Sequence, residues 1–411
     1  MSPILRVKNR PLPVLFPFRE VVVRDVYVIG AGQIPVTKGL DQPIREMAAD
    51  AVKAAMADAE VPMGVNAVQA LYIGNMLSGM LSHQQHLGAL VADAAGLRGV
   101  EAATAEAACG SGAAAMRWGY MAIASGAYDR VVVCGVEKMT HTDRYETTRA
   151  LATASDWPHE GAHGHSFVSL NAVIMQEYMK RYWVNRSLFA AFAINAHRNA
   201  LANPNALLHK AVTIESYDES PTVQSPIRLF DASPICDGAA AFVLSSAEHA
   251  GGGRHPRVRV AASAGGTDSV GIGDRHDLLT LEGAVISSRR AYQQAGMGPN
   301  DIDLFELHDA FTIMAVLSLE GAGFAEPGKG LWLGADDEIG PTGKVPVSTM
   351  GGLKARGHPV GATGVYQLVE TYLQVTGQAG PNQVPNARVG MAQNVGGTGA
   401  TVLTHILERI D

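Results

Sequence analysis

The stretch Val389–Leu407, VGMAQNVGGTGATVLTHIL, decides the fold because it repeats a pattern from the first half of the chain. Its portion GTGATVLTH, from Gly397, matches GAAAFVLSS, from Gly238, in placing glycine and small residues before a buried strand. Upstream of each run is a glycine-rich helix start, ACGSGAAAM around Cys109 and GHPVGATGV around His358. Self-similarity of this kind predicts an internal duplication.

Apolar runs alternate with helical patterns in both halves of the chain. VRDVYVIGAG precedes a helical pattern over residues 43–59, and RVVVCGVE follows another over residues 110–125. The second half opens in the same way, with RVRVAASAGG and a helical pattern over residues 279–295. This βαβ order predicts an α/β fold with mostly parallel strands.

The two halves differ in length, and this difference indicates the domain boundaries. Cys109 and Gly238 stand 129 positions apart, but the equivalent His358 and Gly397 stand only 39 apart. The excess is rich in aromatic residues and histidine, and it predicts an inserted loop domain over residues 138–230. The remaining boundaries are an N-terminal extension over 1–22, a first half over 23–250 and a second half over 256–411.

Composition and charge exclude several classes of function. A net charge of −7 gives no support for nucleic-acid binding. No apolar run approaches the roughly 20 residues of a membrane helix, and the basic, proline-broken start of the chain lacks the apolar core of a secretory signal. The three cysteines show neither a metal-binding spacing nor a disulfide pattern. We therefore expect a cytoplasmic protein without a metal site.

Cys109 is the cysteine best placed for chemistry. It stands between an alanine-rich strand end and a helix that begins with Gly-Ser-Gly. The positive end of a helix dipole favours the thiolate form of such a thiol, and the small neighbours allow a substrate to approach. An isolated cysteine can also pack as a small hydrophobe, and this is our interpretation of Cys134 and Cys236.

The segment GGLKARGHPVGATG, Gly351–Gly364, contains a candidate base. His358 precedes Pro359, which fits the first turn of a helix. An imidazole held there has a fixed direction and a pKa near working pH, so it suits a base toward a thiol. A structural histidine or a phosphate loop with Lys354 and Arg356 is the alternative, although the order G-x-x-x-x-G-K-[ST] is absent.

The run FELHDAFT ends an apolar strand, which is where α/β folds place their sites. His308 and Asp309 would project into that crevice, although Asp309 could instead cap a helix near Thr312. The segment GAGQIP after the first strand lacks the pattern G-x-G-x-x-G, and this argues against a nicotinamide site.

Four segments in this order resemble the active-site motifs of the thiolase superfamily: EAACGSGAAAM, LHDAF, GGLKARGHPVGATG and NVGGTGAT. Two more, SFVSLNAVIMQEYMKRY and INAHRNALANPNA, are similar to its archaeal-type and sterol-carrier-protein-type branch. The resemblance extends from about Val23 to the C-terminus. It implies an α/β thiolase fold of duplicated αβαβα halves in five layers, with an inserted loop domain, and a homodimer or homotetramer.

The resemblance also implies a role for each site residue in acyl transfer from a coenzyme A thioester. Cys109 is the nucleophile, His358 activates its thiol, and the backbone N–H of Gly396 forms an oxyanion hole with that of Cys109. His308 replaces an asparagine that holds an ordered water in the best-known thiolases. No cofactor is permanently bound, coenzyme A thioester is the substrate, and the region Ser166–Arg181 is expected to contact CoA.

Two departures from the family pattern concern the group that removes the α-proton. Many thiolases carry a second cysteine where this chain has Asn394, and the sterol-carrier branch places one where it has Ala310. His308 is therefore the first candidate for the base, in a Cys-His-His set similar to that of condensing ketosynthases. A water held by Asn394 or Asp309 is the alternative.

The resemblance implies an acetyl-CoA C-acetyltransferase or 3-oxoacyl-CoA thiolase in lipid or isoprenoid-precursor metabolism. A thiolase-fold aldolase and a non-catalytic acyl-CoA-binding subunit stay open, although the intact Cys109 and His358 argue against both. Acyl-CoA and CoA are the implied small-molecule partners. A small OB-fold, zinc-ribbon protein that bridges to a synthase is the implied protein partner, and the N-terminal extension is a candidate contact for it.

Overall fold

The computed structural model describes residues 23–64, 66–251 and 254–411, so the predicted N-terminal extension over 1–22 lies outside the described residues. The first half contains β1 (Val26–Gln33), α1 (Ile44–Asp58), β2 (Ala70–Gly74), α2 (Ser78–Leu81), α3 (Leu87–Ala94), β3 (Glu101–Ala105), α4 (Ser111–Ala124) and β4 (Arg130–Glu137). Next come α5 (Arg144–Ala152), α6 (Phe167–Tyr182), α7 (Ala190–Ala200), α8 (Ile214–Glu219), β5 (Thr222–Gln224), β6 (Ile227–Arg228) and β7 (Gly238–Ser246). The second half contains β8 (Val258–Thr267), α9 (Glu282–Ala295), β9 (Leu304–Glu306), α10 (Thr312–Gly321), α11 (Gly330–Ala335), α12 (Thr363–Val375), β10 (Val389–Gly396) and β11 (Thr401–Arg409).

The strand order is symmetric about one junction. Nine strands form a mixed sheet in the order β3-β2-β4-β7-β1-β8-β11-β10-β9. Outward from the β1–β8 contact, β7, β4 and β2 on one side correspond to β11, β10 and β9 on the other. The two runs that indicated the repeat, β7 and β11, therefore occupy equivalent positions, as an internal duplication predicts.

The expectation of mostly parallel strands is wrong. Parallel pairs are β2–β3, β2–β4 and β9–β10, whereas β1–β7, β1–β8, β4–β7, β8–β11 and β10–β11 are antiparallel. In the second half, β10 turns directly into β11 through residues 397–400, and a connection that short reverses the strand direction. The spacing of apolar runs does not contain this information.

Helices and strands alternate in five layers. The helices α1 and α3 pack on the outer face of the first-half strands, α4 and α12 lie between the two halves, and α9 and α10 cover the second-half strands. In β4, Val131 and Val133 face the central helices, while Val132, Cys134 and Val136 face the outer ones. Burial on both faces explains why these strands are continuous apolar runs.

The central helices approach each other closely at their N-terminal ends, and glycine is required there. A Cβ on Gly112 would lie 3.0 Å from the carbonyl oxygen of Gly361, and a Cβ on Gly364 would lie 2.5 Å from the amide nitrogen of Ala113. The loops that precede α4 and α12 therefore meet, one from each half of the chain. This contact is the structural reason for the two glycine-rich motifs.

The segment between β4 and β7 leaves the sheet and covers one side of the second half. Its longest helix, α6, begins after Ser166, whose hydroxyl accepts a hydrogen bond from the backbone N–H of Ser169. The buried face of α6 joins the core of α10, and Tyr178 donates a hydrogen bond to Glu320 at 2.7 Å. None of the described helices combines the length and apolar character needed to cross a bilayer.

Candidate active site

A cavity of about 760 Å³ lies between the paired helix starts and the inserted segment. Cys109, His308 and His358, which are far apart in the sequence, all line it, and so does Gly397. Within the described residues, no three His, Cys, Asp or Glu side chains form a group suited to a metal ion. The thiol and the two imidazoles are the groups in this cavity whose chemistry is considered next.

Cys109 stands immediately before the N-terminal end of α4 and is only 6% exposed. Its neighbour Ala108 has a φ of 52°, a strained left-handed conformation for a residue with a side chain. The backbone N–H groups of Gly397 and of Cys109 itself approach the sulfur. Burial and the nearby Glu137 carboxylate nevertheless raise the pKa of the thiol to about 12. Burial and Glu137 therefore oppose the thiolate form that the helix N-terminus was expected to favour.

We predict that Cys109 in the free protein is a neutral thiol at pH 7. The rate of its alkylation by iodoacetamide should rise about tenfold per pH unit between pH 7 and 9, because only the thiolate reacts and its fraction grows at that rate below the pKa. Mass spectrometry of the Cys109 peptide measures this rate. A plateau already reached near pH 7 would contradict the prediction, because it would indicate a preformed thiolate–imidazolium pair.

His358 does not lie in a helical turn, as the sequence suggested, but between the π-helical turn Gly352–Arg356 and the 3₁₀ turn before α12. Its Nδ1 lies 2.7 Å from the hydroxyl of Thr363, which donates its own proton to the carbonyl of Pro359 at 3.2 Å. The hydroxyl must therefore accept from Nδ1–H, which leaves Nε2 unprotonated. Burial, together with His308 and Arg356, lowers the pKa of His358 well below its ordinary value, so the ring is neutral.

We predict that Thr363 selects this tautomer of His358. Thr363→Val keeps the shape but removes the acceptor, so kcat should fall about 10- to 100-fold with little change in KM. Thr363→Ser keeps the hydroxyl and serves as the matched control, which should retain most of the activity. Equal losses in the two variants would show that Thr363 only packs.

His308 is held in the opposite tautomer. Its Nδ1 lies 3.1 Å from Nδ2 of Asn394 and 3.3 Å from the backbone nitrogen of Val395. The backbone N–H can only donate, so Nδ1 is an acceptor and Nε2 carries the proton. Burial and the Arg356 charge lower the pKa of His308 to about 3. The ring meets that of His358 edge to face, with centroids 5.1 Å apart. His308 therefore offers a neutral N–H donor, and this geometry argues against its predicted role as the base.

Two other predicted polar residues lie behind the cavity wall. Asn394 is 2% exposed and contacts His308 from behind, so it positions that ring and does not face a substrate. Asp309 neither projects into the crevice nor caps a helix. Its carboxylate accepts hydrogen bonds from the hydroxyl of Ser348 at 3.0 Å and from the backbone N–H of Leu353 at 2.7 Å. Neither side chain is placed to hold a water on the cavity side.

The end of β10, where the expected oxyanion donor Gly396 lies, comes next to the loop that carries the thiol. Gly396 ends β10 and approaches the loop before α4 so closely that a Cβ on it would lie 2.3 Å from the carbonyl oxygen of Ala107. The amide that approaches the sulfur of Cys109 is that of Gly397, the next residue. Ala310, where the sterol-carrier branch has a cysteine, does line the cavity.

Glu137, which the sequence analysis did not single out, joins the two halves beneath the site. This buried carboxylate accepts hydrogen bonds from the backbone N–H groups of Met76, Leu77 and Gly361, and from the side chain of Asn75. Burial raises its pKa to about 7. The only feature of the sequence that could have indicated this role of Glu137 is a carboxylate at the end of a buried apolar strand.

The cavity is positively charged although the protein is acidic. Its wall contains the exposed cations Lys38, Arg144 and Lys210 and the buried Lys354, and no Asp or Glu among the described residues lines it. A region of one sign of charge attracts ligands of the opposite sign. The site is therefore suited to an anionic ligand.

Only the beginning of the predicted CoA-contact region reaches the cavity. Ser166, Phe167 and Asn171, at the start of α6, line the wall. At the other end of the helix, Arg181 binds Asp277 at 2.8 Å, on the outside of the protein. The candidate contact region is therefore narrower than Ser166–Arg181.

A cysteine and an unprotonated imidazole that line one cavity, with backbone N–H groups at the sulfur, suit an enzyme that transfers acyl groups through a thioester. The comparison with known families agrees: residues 26–248 match the family model "Thiolase, N-terminal domain" and residues 264–409 match "Thiolase C-terminal domain-like". The chain belongs to the thiolase family and is an acyltransferase.

Named relatives lie in the two branches that the sequence suggested. The chain is 42% identical to an acetyl-CoA acetyltransferase of Methanothermobacter thermautotrophicus over 94% of this chain and 100% of that protein. It is 29% identical to sterol carrier protein 2 of Oryctolagus cuniculus, over 92% of this chain and 71% of that protein. A solved structure described as "Ltp2-ChsH2(DUF35) aldolase" has a TM-score of 0.81, at 23% identity, over 95% of this chain and 99% of that chain.

Proposed function

We propose that this thiolase interconverts two molecules of acetyl-CoA with acetoacetyl-CoA and CoA, and that it acts on short 3-oxoacyl-CoA thioesters generally. The observation that carries the proposal is the grouping of Cys109, His358 and His308 in one cationic cavity. The 42% identity to an archaeal acetyl-CoA acetyltransferase supports the choice of substrate.

The first half-reaction forms an acyl-cysteine. Nε2 of His358 accepts the thiol proton as the sulfur of Cys109 attacks the thioester carbonyl. The backbone N–H groups of Cys109 and Gly397 donate to the oxyanion, and each such donor contributes roughly 3–4 kcal/mol to barrier lowering. When the tetrahedral intermediate collapses, CoA thiolate leaves with the proton from His358, and His358 is neutral again.

The second half-reaction forms the carbon–carbon bond, and in our proposal His358 is also the base for it. Its Nε2 takes the α-proton of a second acetyl-CoA, while Nε2–H of His308 donates to the enolate oxygen. The carbanion attacks the acyl carbonyl and expels the thiolate of Cys109, which recovers the proton from His358. In this scheme His358 removes both the thiol proton and the α-proton, so the second cysteine of many thiolases is not needed.

Turnover of acetoacetyl-CoA with free CoA tests the proposed function. We expect two molecules of acetyl-CoA to form for each acetoacetyl-CoA consumed. Chromatography of the CoA thioesters measures both quantities. An absence of turnover with acetoacetyl-CoA and with longer 3-oxoacyl-CoA would contradict the proposal. Release of a free carbonyl compound without consumption of CoA would identify a carbon–carbon lyase instead.

We also propose a cytoplasmic location, a homodimer or homotetramer, and contact of CoA with the start of α6 and with Lys38, Arg144 and Lys210.

A small OB-fold, zinc-ribbon protein is the proposed protein partner, and a DUF35 component in the description of a similar aldolase structure supports it. Size-exclusion chromatography with light scattering tests the oligomer, and co-expression with the candidate partner tests the assembly.

A further inference from the structure

Lys354 is a buried residue whose ammonium has no close ion pair. The residue is 3% exposed, and no carboxylate oxygen of the described residues lies within 4.0 Å of Nζ, so the charges of Asp309 and Asp231 act on it only from farther away. Nζ lies over the ring of Phe230, 5.7 Å from its centre. Burial lowers its pKa to about 8, which leaves it charged at neutral pH. A buried charge of this kind is unfavourable unless a ligand supplies the opposite charge.

His197 is a second buried group with an unused polar atom on the same wall. Its Nδ1–H donates to the carbonyl of Lys210 at 2.7 Å, so Nε2 is an acceptor, and no described residue bonds to it. The ring packs edge to face on Phe230, the same ring that Lys354 overlies. Its Nε2 is therefore an acceptor that a hydrogen-bond donor of a ligand can use.

The position of Lys354 separates it from the cations assigned to CoA. Lys38, Arg144 and Lys210 are exposed at the cavity mouth, whereas Lys354 is buried in the wall. It lies four positions before His358, so the two Cα atoms are at most about 14 Å apart. Phe311 and Met314, both buried, add apolar surface to the same wall. Cys109, these apolar side chains and Lys354 line one cavity, so an acyl group on Cys109 shares that cavity with the ammonium.

We propose that Lys354 forms an anion subsite in the acyl pocket, and that the enzyme also accepts acyl groups that carry a carboxylate at their far end. This inference rests on the proposed thiolase function and names its substrate class: short dicarboxylic acids joined to CoA through one carboxyl group. The ammonium of Lys354 binds the free carboxylate. An acetyl group leaves this subsite empty.

Pairs of acyl-CoA thioesters that differ only in the terminal group test the subsite. Succinyl-CoA and glutaryl-CoA are compared with butyryl-CoA and valeryl-CoA for the rate of Cys109 acylation. The wild type should favour the carboxylated member of each pair. Lys354→Met should lower the ratio of carboxylated to neutral kcat/KM about 100-fold, and Lys354→Glu should reverse the preference. Lys210→Met is the matched control, which should weaken both members equally and leave the ratio unchanged.

The same thioesters made on pantetheine, which lacks the nucleotide phosphates, distinguish the two sources of a bound anion. The preference of the wild type for the carboxylated member of each pair should persist with pantetheine thioesters. If Lys354→Met weakens acetyl-CoA but not acetyl-pantetheine, with an unchanged ratio, Lys354 binds a CoA phosphate and the proposal is wrong. Failure of acylation with every thioester would refute the proposed function instead. In that case calorimetric binding of glutaryl-CoA and valeryl-CoA to wild type and Lys354→Met decides the subsite separately, and equal affinities would overturn it.

Discussion

Cys109→Ala should lower kcat for thiolysis of acetoacetyl-CoA by at least about 10⁴-fold, the largest effect of any single substitution in this chain. The variant keeps the cavity and both histidines but has no atom that can hold the acyl group. Steady-state turnover of the purified variant against wild type measures the loss.

Cys134→Ala is the matched control for the loss of a thiol. Cys134 is fully buried in β4 and faces the outer helices, away from the cavity, so this variant should keep near-wild-type turnover. Thermal unfolding of the two variants and the wild type establishes that all three fold. More than a tenth of wild-type activity in Cys109→Ala would contradict a covalent mechanism.

The two histidines should respond differently to substitution because their tautomers differ. His358→Leu removes the base of both half-reactions, so acylation of Cys109 and α-proton exchange should each fall about 10³-fold or more. His308→Leu removes one oxyanion donor, so α-proton exchange should fall about 10²- to 10³-fold, with a smaller effect on acylation. The rate of α-proton exchange is measured as incorporation of deuterium into the methyl group of acetyl-CoA in deuterated water, detected by mass spectrometry.

His308→Asn separates a donor from a base at this position. An amide still donates a hydrogen bond but cannot remove a carbon-bound proton, so His308→Asn should exchange α-protons faster than His308→Leu. Equal rates in the two variants, both far below wild type, would restore His308 as the base.

The sequence predicted the parts of the fold that depend on local pattern. The duplication was visible because β7 and β11 carry the same small-residue pattern, and the glycines that allow α4 and α12 to touch were visible as motifs. Strand direction was not visible in the sequence, because it depends on how the chain returns to the sheet. The grouping of Cys109 with His308 and His358 followed from resemblance to a family, since no local pattern brings distant segments together.

The chemical state of the site residues could not be derived from the sequence. His308 is a donor only because Asn394 and Val395, from another strand, both donate to its Nδ1. His358 is a base only because a threonine hydroxyl five positions later fixes its other nitrogen. Residue type alone cannot distinguish these two imidazoles, so the sequence could not decide which of them acts as the base.

The measurement that tests the central claim most directly is identification of the acyl-enzyme. Wild-type protein is mixed with acetyl-CoA in the absence of free CoA, quenched in acid and digested, and its peptides are analysed by mass spectrometry. We predict one acetyl group on the peptide containing Cys109, lost again when CoA is added before the quench and absent in His358→Leu on the same timescale. Turnover of acetoacetyl-CoA without any acetylated Cys109, or acetylation of a different residue, would contradict this account.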